Sequence, residues 1–205
     1  MLDFDPVREK LITLNEVAAD LSKQDLHDLT VEMVVVQLQL IENCSDADVR
    51  FIPDDPDADD PFADSLEDVD LSWTLGHVVV HVTASSEEAA AVASELARGV
   101  SYHGRSRYET PWQSVNTIQQ CKDRLAESRK IRLASLEMWP DQPHLDNEYK
   151  SRPGAAPMNT TTRFIYGLMH DDDHLEKELS HQPASNRVET RQVVETLMTF
   201  TRSRC

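Results

Sequence analysis

The run Met169-His170-Asp171-Asp172-Asp173-His174 holds the residue types and spacing best suited to chemistry. Two histidines four apart on an α-helix are separated by about 40° and roughly 6 Å of rise, so both imidazoles can reach one metal ion. Two ligands hold an ion poorly, and a third must come from elsewhere. His181 shares the stripe but lies about 10 Å beyond His174 at 1.5 Å per residue, too far to close on the same ion. The metalloprotease pattern H-E-x-x-H is broken as well, because Asp171 stands where that chemistry needs the longer Glu as general base.

Of the eight histidines, His77 and His81 are the best remaining candidates. At helical spacing Trp73, His77, His81, Ala84, Glu88, Ala91 and Glu95 fall on one stripe. A stripe of histidines and small residues is not a hydrophobic face, and it suggests polar groups looking into a groove. Glu88, two turns beyond His81, is a candidate general base, with an exposed or core-edge carboxylate the plainer role.

The elements that must position these residues are helical. Asp5 as N-cap and Pro6 at the first helical position open a helix carrying Val7, Leu11, Leu14, Val17, Ala18 and Leu21. After a break near Ser22, a second periodic run extends from Leu26 to Ile41. Its Val31–Val36 portion is β-branched, but its length and lack of turn signals favour helix. Ser72 caps a third helix over about 73–98, alanine-rich in its second half. Thr110 and Gln113 form a capping box for a fourth helix reaching about Met138, ended by Trp139-Pro140; Val115, Ile118, Cys121, Leu125 and Leu136 lie in register, with Ile131 or Arg132 between them. Asn159 or Thr160 caps a fifth helix to about Leu179, and a sixth, C-terminal helix spans about 186–203. The acidic segment 45–70 fits a solvated surface loop, because it lacks the glycine and bidentate glutamate of a calcium loop.

Composition narrows the class. The chain has 205 residues, 40% hydrophobic and 28% charged, with only 5 glycines, as expected of a single all-α domain over 1–205. A net charge of −17 works against nucleic acid and anionic lipid, so neither is an expected partner. There is no 18-residue apolar run and no basic-then-apolar leader. Cys44, Cys121 and Cys205 are odd in number and widely spaced, which points to a reducing cytoplasm. Cys121, on an apolar stripe, reads as a buried small hydrophobe. Trp112, Trp139, Tyr102 and Arg105 could line a pocket or simply pack.

Trp73-Thr74-Leu75-Gly76-His77-Val78-Val79-Val80-His81 resembles the W-[ST]-x₆-H opening of the second bundle helix in DinB/YfiT-like proteins. Met169-His170-Asp171-Asp172-Asp173-His174-Leu175 resembles their later H-x-x-x-H-L element. Arg107-Tyr108-Glu109 and Trp139-Pro140 match related loops more weakly. The resemblance covers about Val7 to Leu179. It implies a four-helix bundle with an additional N- or C-terminal helix and long loops. It also implies a divalent ion held by three histidines, which carry over to His81, His170 and His174, with His77 as a lining residue or alternate ligand.

Three neutral imidazoles around Zn²⁺ or Ni²⁺ leave positions at which water or a thiol can be activated. The resemblance implies thiol S-transfer or hydrolase-like chemistry on a small-molecule substrate, with a low-molecular-weight thiol as co-substrate in the former. Asp171 or Asp173 could orient a ligand histidine, though solvated charge is the simpler role for both. The alternative is a non-catalytic bundle in which the histidines bind metal structurally, or not at all, and the helices serve dimerisation.

Overall fold

A computed structural model describes residues 1–55, 58, 69–104, 109–183 and 186–202. Pro56, Asp57, Asp59, Asp60 and Pro61 of the acidic loop, Arg105, Arg107 and Tyr108, and Cys205 lie outside the described residues.

The described residues are all-helical apart from one isolated bridge between Tyr149 and Met158. The helices are α1 (Asp5–Arg8), α2 (Leu14–Ala18), α3 (Lys23–Leu40), α4 (Asp46–Arg50), α5 (Leu75–Ala97), α6 (Ile118–Glu137), α7 (Thr160–Ser180) and α8 (Arg187–Arg202), with a 3₁₀ turn at Trp112–Ser114. The four long helices α3, α6, α5 and α7 pack in that cyclic order into a bundle, with the most extensive interface between α5 and α7. This is the four-helix bundle with an extra C-terminal helix that the sequence implies.

Local chemistry sets the ends of these helices. Ser22 and Asp25 form a reciprocal capping box on α3, and Thr117 and Gln120 form another on α6. Thr74 caps α5 by accepting from the His77 N–H, and Asn159 caps α7 by accepting from Thr162. α3 is helical throughout its β-branched portion. Met33, Val34 and Val36 are buried there against the bundle, and tertiary burial outweighs the small intrinsic preference of valine for strand.

Three boundaries differ from the sequence expectation. The first helix is two short ones, with Phe4 rather than Asp5 at the N-cap and a positive-φ Lys10 in the connection. The third begins at Leu75, two residues beyond Trp73, because the Thr74 hydroxyl accepts from the free His77 N–H and makes Thr74 the N-cap. Thr110–Gln113 does not open the fourth helix. Those residues lead into the 3₁₀ turn, and the working box is Thr117/Gln120, reinforced by Asp46 Oδ1 accepting from the Ile118 N–H at 2.8 Å. That contact also corrects the acidic stretch, since residues 46–50 form α4 with Val49 fully buried.

The core joins Leu26, Met33 and Leu40 of α3 with Leu75 and Val79 of α5, Leu125 and Leu136 of α6, and Ile165 and Leu168 of α7. Each such side chain contributes about 1.5–3 kcal/mol of transfer free energy. α5 is the central element, buried over most of its length, although Ala91 on the predicted groove stripe is exposed. No helix among the described residues is long and apolar enough to cross a membrane.

Candidate metal centre

α5 and α7 run antiparallel. The order is fixed by His181 Nε2 against the Trp73 carbonyl (3.0 Å), His81 against His170, and Ser86 Oγ donating to the Gly167 carbonyl (3.1 Å). The close approach depends on Gly167, where an added Cβ would sit 2.8 Å from Ala89 Cβ and 3.2 Å from Ser86 Cα. Only a residue without a side chain lets the two backbones come this near.

At this crossing His81 of α5 meets His170 and His174 of α7. One ligating atom from each lies within 4.8 Å of the others, and His81 Nε2 stands 3.1 Å from His170 Nε2. Two imidazoles on a tetrahedral zinc, each at 2.0–2.1 Å, would have nitrogens about 3.3 Å apart, so the spacing suits a shared ion. The donor set is all nitrogen and partly buried, a combination suited to a borderline divalent metal. Burial, helped by the nearby Lys177 ammonium and opposed by Asp173, lowers the His174 pKa and favours the neutral ring that a ligand must be.

Trp73 forms one wall. Its ring lies 4.5 Å from that of His81 and 5.8 Å from that of His174, with Lys177 Nζ 4.6 Å from its centroid. His77 is outside the cluster: it is stacked between Trp73 (4.6 Å) and Trp112 (5.0 Å, nearly parallel). His181 is buried at the C-cap of α7, hydrogen-bonded to the carbonyls of Lys177 and Trp73, as its distance along the helix requires. Trp139 packs in the core edge-on to Phe164, and Tyr102 stacks on Tyr149.

The expectation of solvated charge at Asp171 is overturned. Asp171 is 1% exposed and accepts from Ser86 Oγ and Arg132 Nη1, both at 2.6 Å. Burial pushes its pKa up while Arg132 and Ser86 oppose the shift. One residue past His170, its side chain is rotated about 100° towards the interior, where it ties α7 to α5 and α6. A sequence signal existed, since Arg132 falls on the apolar stripe of α6 and a buried cation needs a partner. Asp173 is half-exposed and, with Asp172, is paired with Arg8. Glu88 is buried, not exposed, and is two turns from His81. Cys121 is fully buried, as expected.

The family model of the DinB superfamily matches residues 33–177, more than half of the chain. No curated protein and no solved structure matches the chain. The chain belongs to the DinB superfamily.

Proposed function

We propose that this DinB-superfamily chain is a metal-dependent enzyme in which His81, His170 and His174 hold one divalent ion, Zn²⁺ or Ni²⁺. The observation that supports this most is the convergence of three imidazoles from two helices, with ligating atoms within 4.8 Å. Such an ion supplies Lewis acidity that makes a thiol or a water a competent nucleophile at neutral pH. The chain's own residues do the rest. Gly167 sets the α5–α7 distance, and the Asp171–Arg132–Ser86 network fixes the rotation of α7 that aims His170. Trp73 packs against one side of the cluster, touching His81 and His174. The reaction class is thiol S-transfer or hydrolysis on a small molecule, with a low-molecular-weight thiol as co-substrate in the former.

Metal analysis of the purified protein after supplementation tests this. One divalent ion per chain is expected, with loss in a His81→Ala, His170→Ala double variant. Absence of stoichiometric metal in the wild type refutes the three-histidine centre. With metal in place, thiols screened against electrophilic acceptors and hydrolysable esters separate an enzyme from a structural site. Turnover that persists without the histidines refutes the mechanism.

A further inference from the structure

On α7 the stripe that carries His174 and His170 continues to Arg163, seven residues before His170 and so about 20° off the same face and about 10 Å along the axis. Arg163 is 9% exposed, yet its side chain makes no ion pair or hydrogen bond among the described residues, and its Nε is buried without a partner. A buried cation is ordinarily paired. It also lies in the first turn of α7, the positive end of the helix dipole, where a cation is disfavoured and an anion is welcome. Its neighbours are aromatic. The guanidinium carbon is 5.3 Å from the Tyr166 ring centroid, and Tyr149, stacked on Tyr102 at 4.0 Å, is within electrostatic reach of Arg163, Tyr166 and Glu88. Tyr166 is 39% exposed and Tyr149 half-buried, so the cluster opens to solvent.

We infer that Arg163, with Tyr149 and Tyr166, forms a carboxylate-binding subsite for a substrate whose reacting end lies at the histidine cluster. A monoanion is favoured over a phosphate dianion because one guanidinium supplies a single positive charge and the chain carries −17 overall. The substrate class is then a small thiol or ester that also bears a carboxylate, with Arg163 and His170 standing about 10 Å apart along the axis of α7. The span to the reacting end rests on the metal-centre proposal, whereas the anion site does not.

The experiment uses the full chain loaded with Co²⁺ and a series of ω-mercaptoalkanoates from two to ten methylenes, each beside the ω-mercaptoalcohol of the same length. Binding is read from the thiolate-to-cobalt absorption band. A mid-length carboxylate should bind at least tenfold tighter than its alcohol, and the short ones should show no gain. Arg163→Met should abolish the gain while leaving Co²⁺ binding and the alcohol affinities unchanged, and Arg163→Lys should retain part of it. Equal affinities of acids and alcohols at every length in the wild type, or a gain that survives in Arg163→Met, overturns the subsite. Octanoate binding to the chelator-treated protein, followed by calorimetry, is the second arm. If Co²⁺ does not bind, the metal centre fails, while octanoate binding that Arg163→Met removes still supports the subsite. Octanoate binding that is absent or indifferent to Arg163 overturns it.

Discussion

Gly167→Ala puts a number on the coupling between helix packing and the candidate centre. The added methyl would lie 2.8 Å from Ala89 Cβ and 3.2 Å from Ser86 Cα, neither of which can swing away. Ordinary carbon–carbon contact is about 3.5–4.0 Å, so α5 and α7 must separate locally by about 0.7 Å or more. Overpacking of this kind costs about 1–3 kcal/mol, partly offset by the gain of about 1 kcal/mol for Gly to Ala in a helix. The net loss is about 0–2 kcal/mol, and the fold survives. The centre is less tolerant. His170 and His174 move with α7 and His81 with α5, and a shift of about 0.7 Å exceeds the roughly 0.2 Å within which metal–ligand distances are held. At least a tenfold loss of Zn²⁺ affinity is expected, measured by competition with a chromophoric chelator, beside a urea melt of the same sample. Ala89→Gly in the same chain removes the facing methyl and should restore most of the affinity. An unchanged affinity in Gly167→Ala, or a double variant no better than the single, would show that the glycine does not set the ligand spacing.

Three further outcomes follow from buried groups. Asp171→Ala strands the Arg132 guanidinium, which is 2% exposed, and should cost about 3–5 kcal/mol in urea unfolding, whereas Asp171→Leu combined with Arg132→Leu should recover most of that; equal losses in both would refute the pairing. Glu178 is fully buried, and burial raises its carboxyl well above 4.5, with Asp171 adding to the rise and Gln37 opposing it at 3.3 Å. The folded state thus holds this proton more tightly than the unfolded state. The associated stability is complete below about pH 4.5 and is lost as pH climbs towards the raised value, at about 1.4 kcal/mol per unit. Glu178→Gln should therefore gain stability relative to wild type as pH rises above about 4.5, and parallel stability–pH curves would contradict this. Burial also pushes the Cys44 and Cys121 thiols up to about 12, so in a Cys205→Ser background neither should react with a disulfide reagent at pH 8 until the protein is unfolded.

The sequence by itself determined the helical class, because apolar residues recurring at three and four positions and the scarcity of glycine leave few other ways to bury a core. It also determined that His170 and His174 share a helix face and that His181 cannot join them, since both facts are helical geometry. The capping chemistry was legible to within one residue at Asn159 or Thr160, of which Asn159 is the cap, and misleading where two full capping boxes competed. Thr110/Gln113 and Thr117/Gln120 offer the same pattern, and only the contact of Asp46 with the α6 N-terminus selects between them. Likewise the stripe containing His77 and His81 could not say which ring faces α7. That depends on Trp112, thirty-nine residues from Trp73, folding over to stack on His77. The interior role of Asp171 was hidden for the same reason: nothing in a run of three aspartates marks the first of them as buried until α6 brings Arg132 to it. Periodicity acts within one helix and is written in the chain. Which residues of different helices become neighbours is set by the packing of whole faces, and that the tertiary structure alone decided.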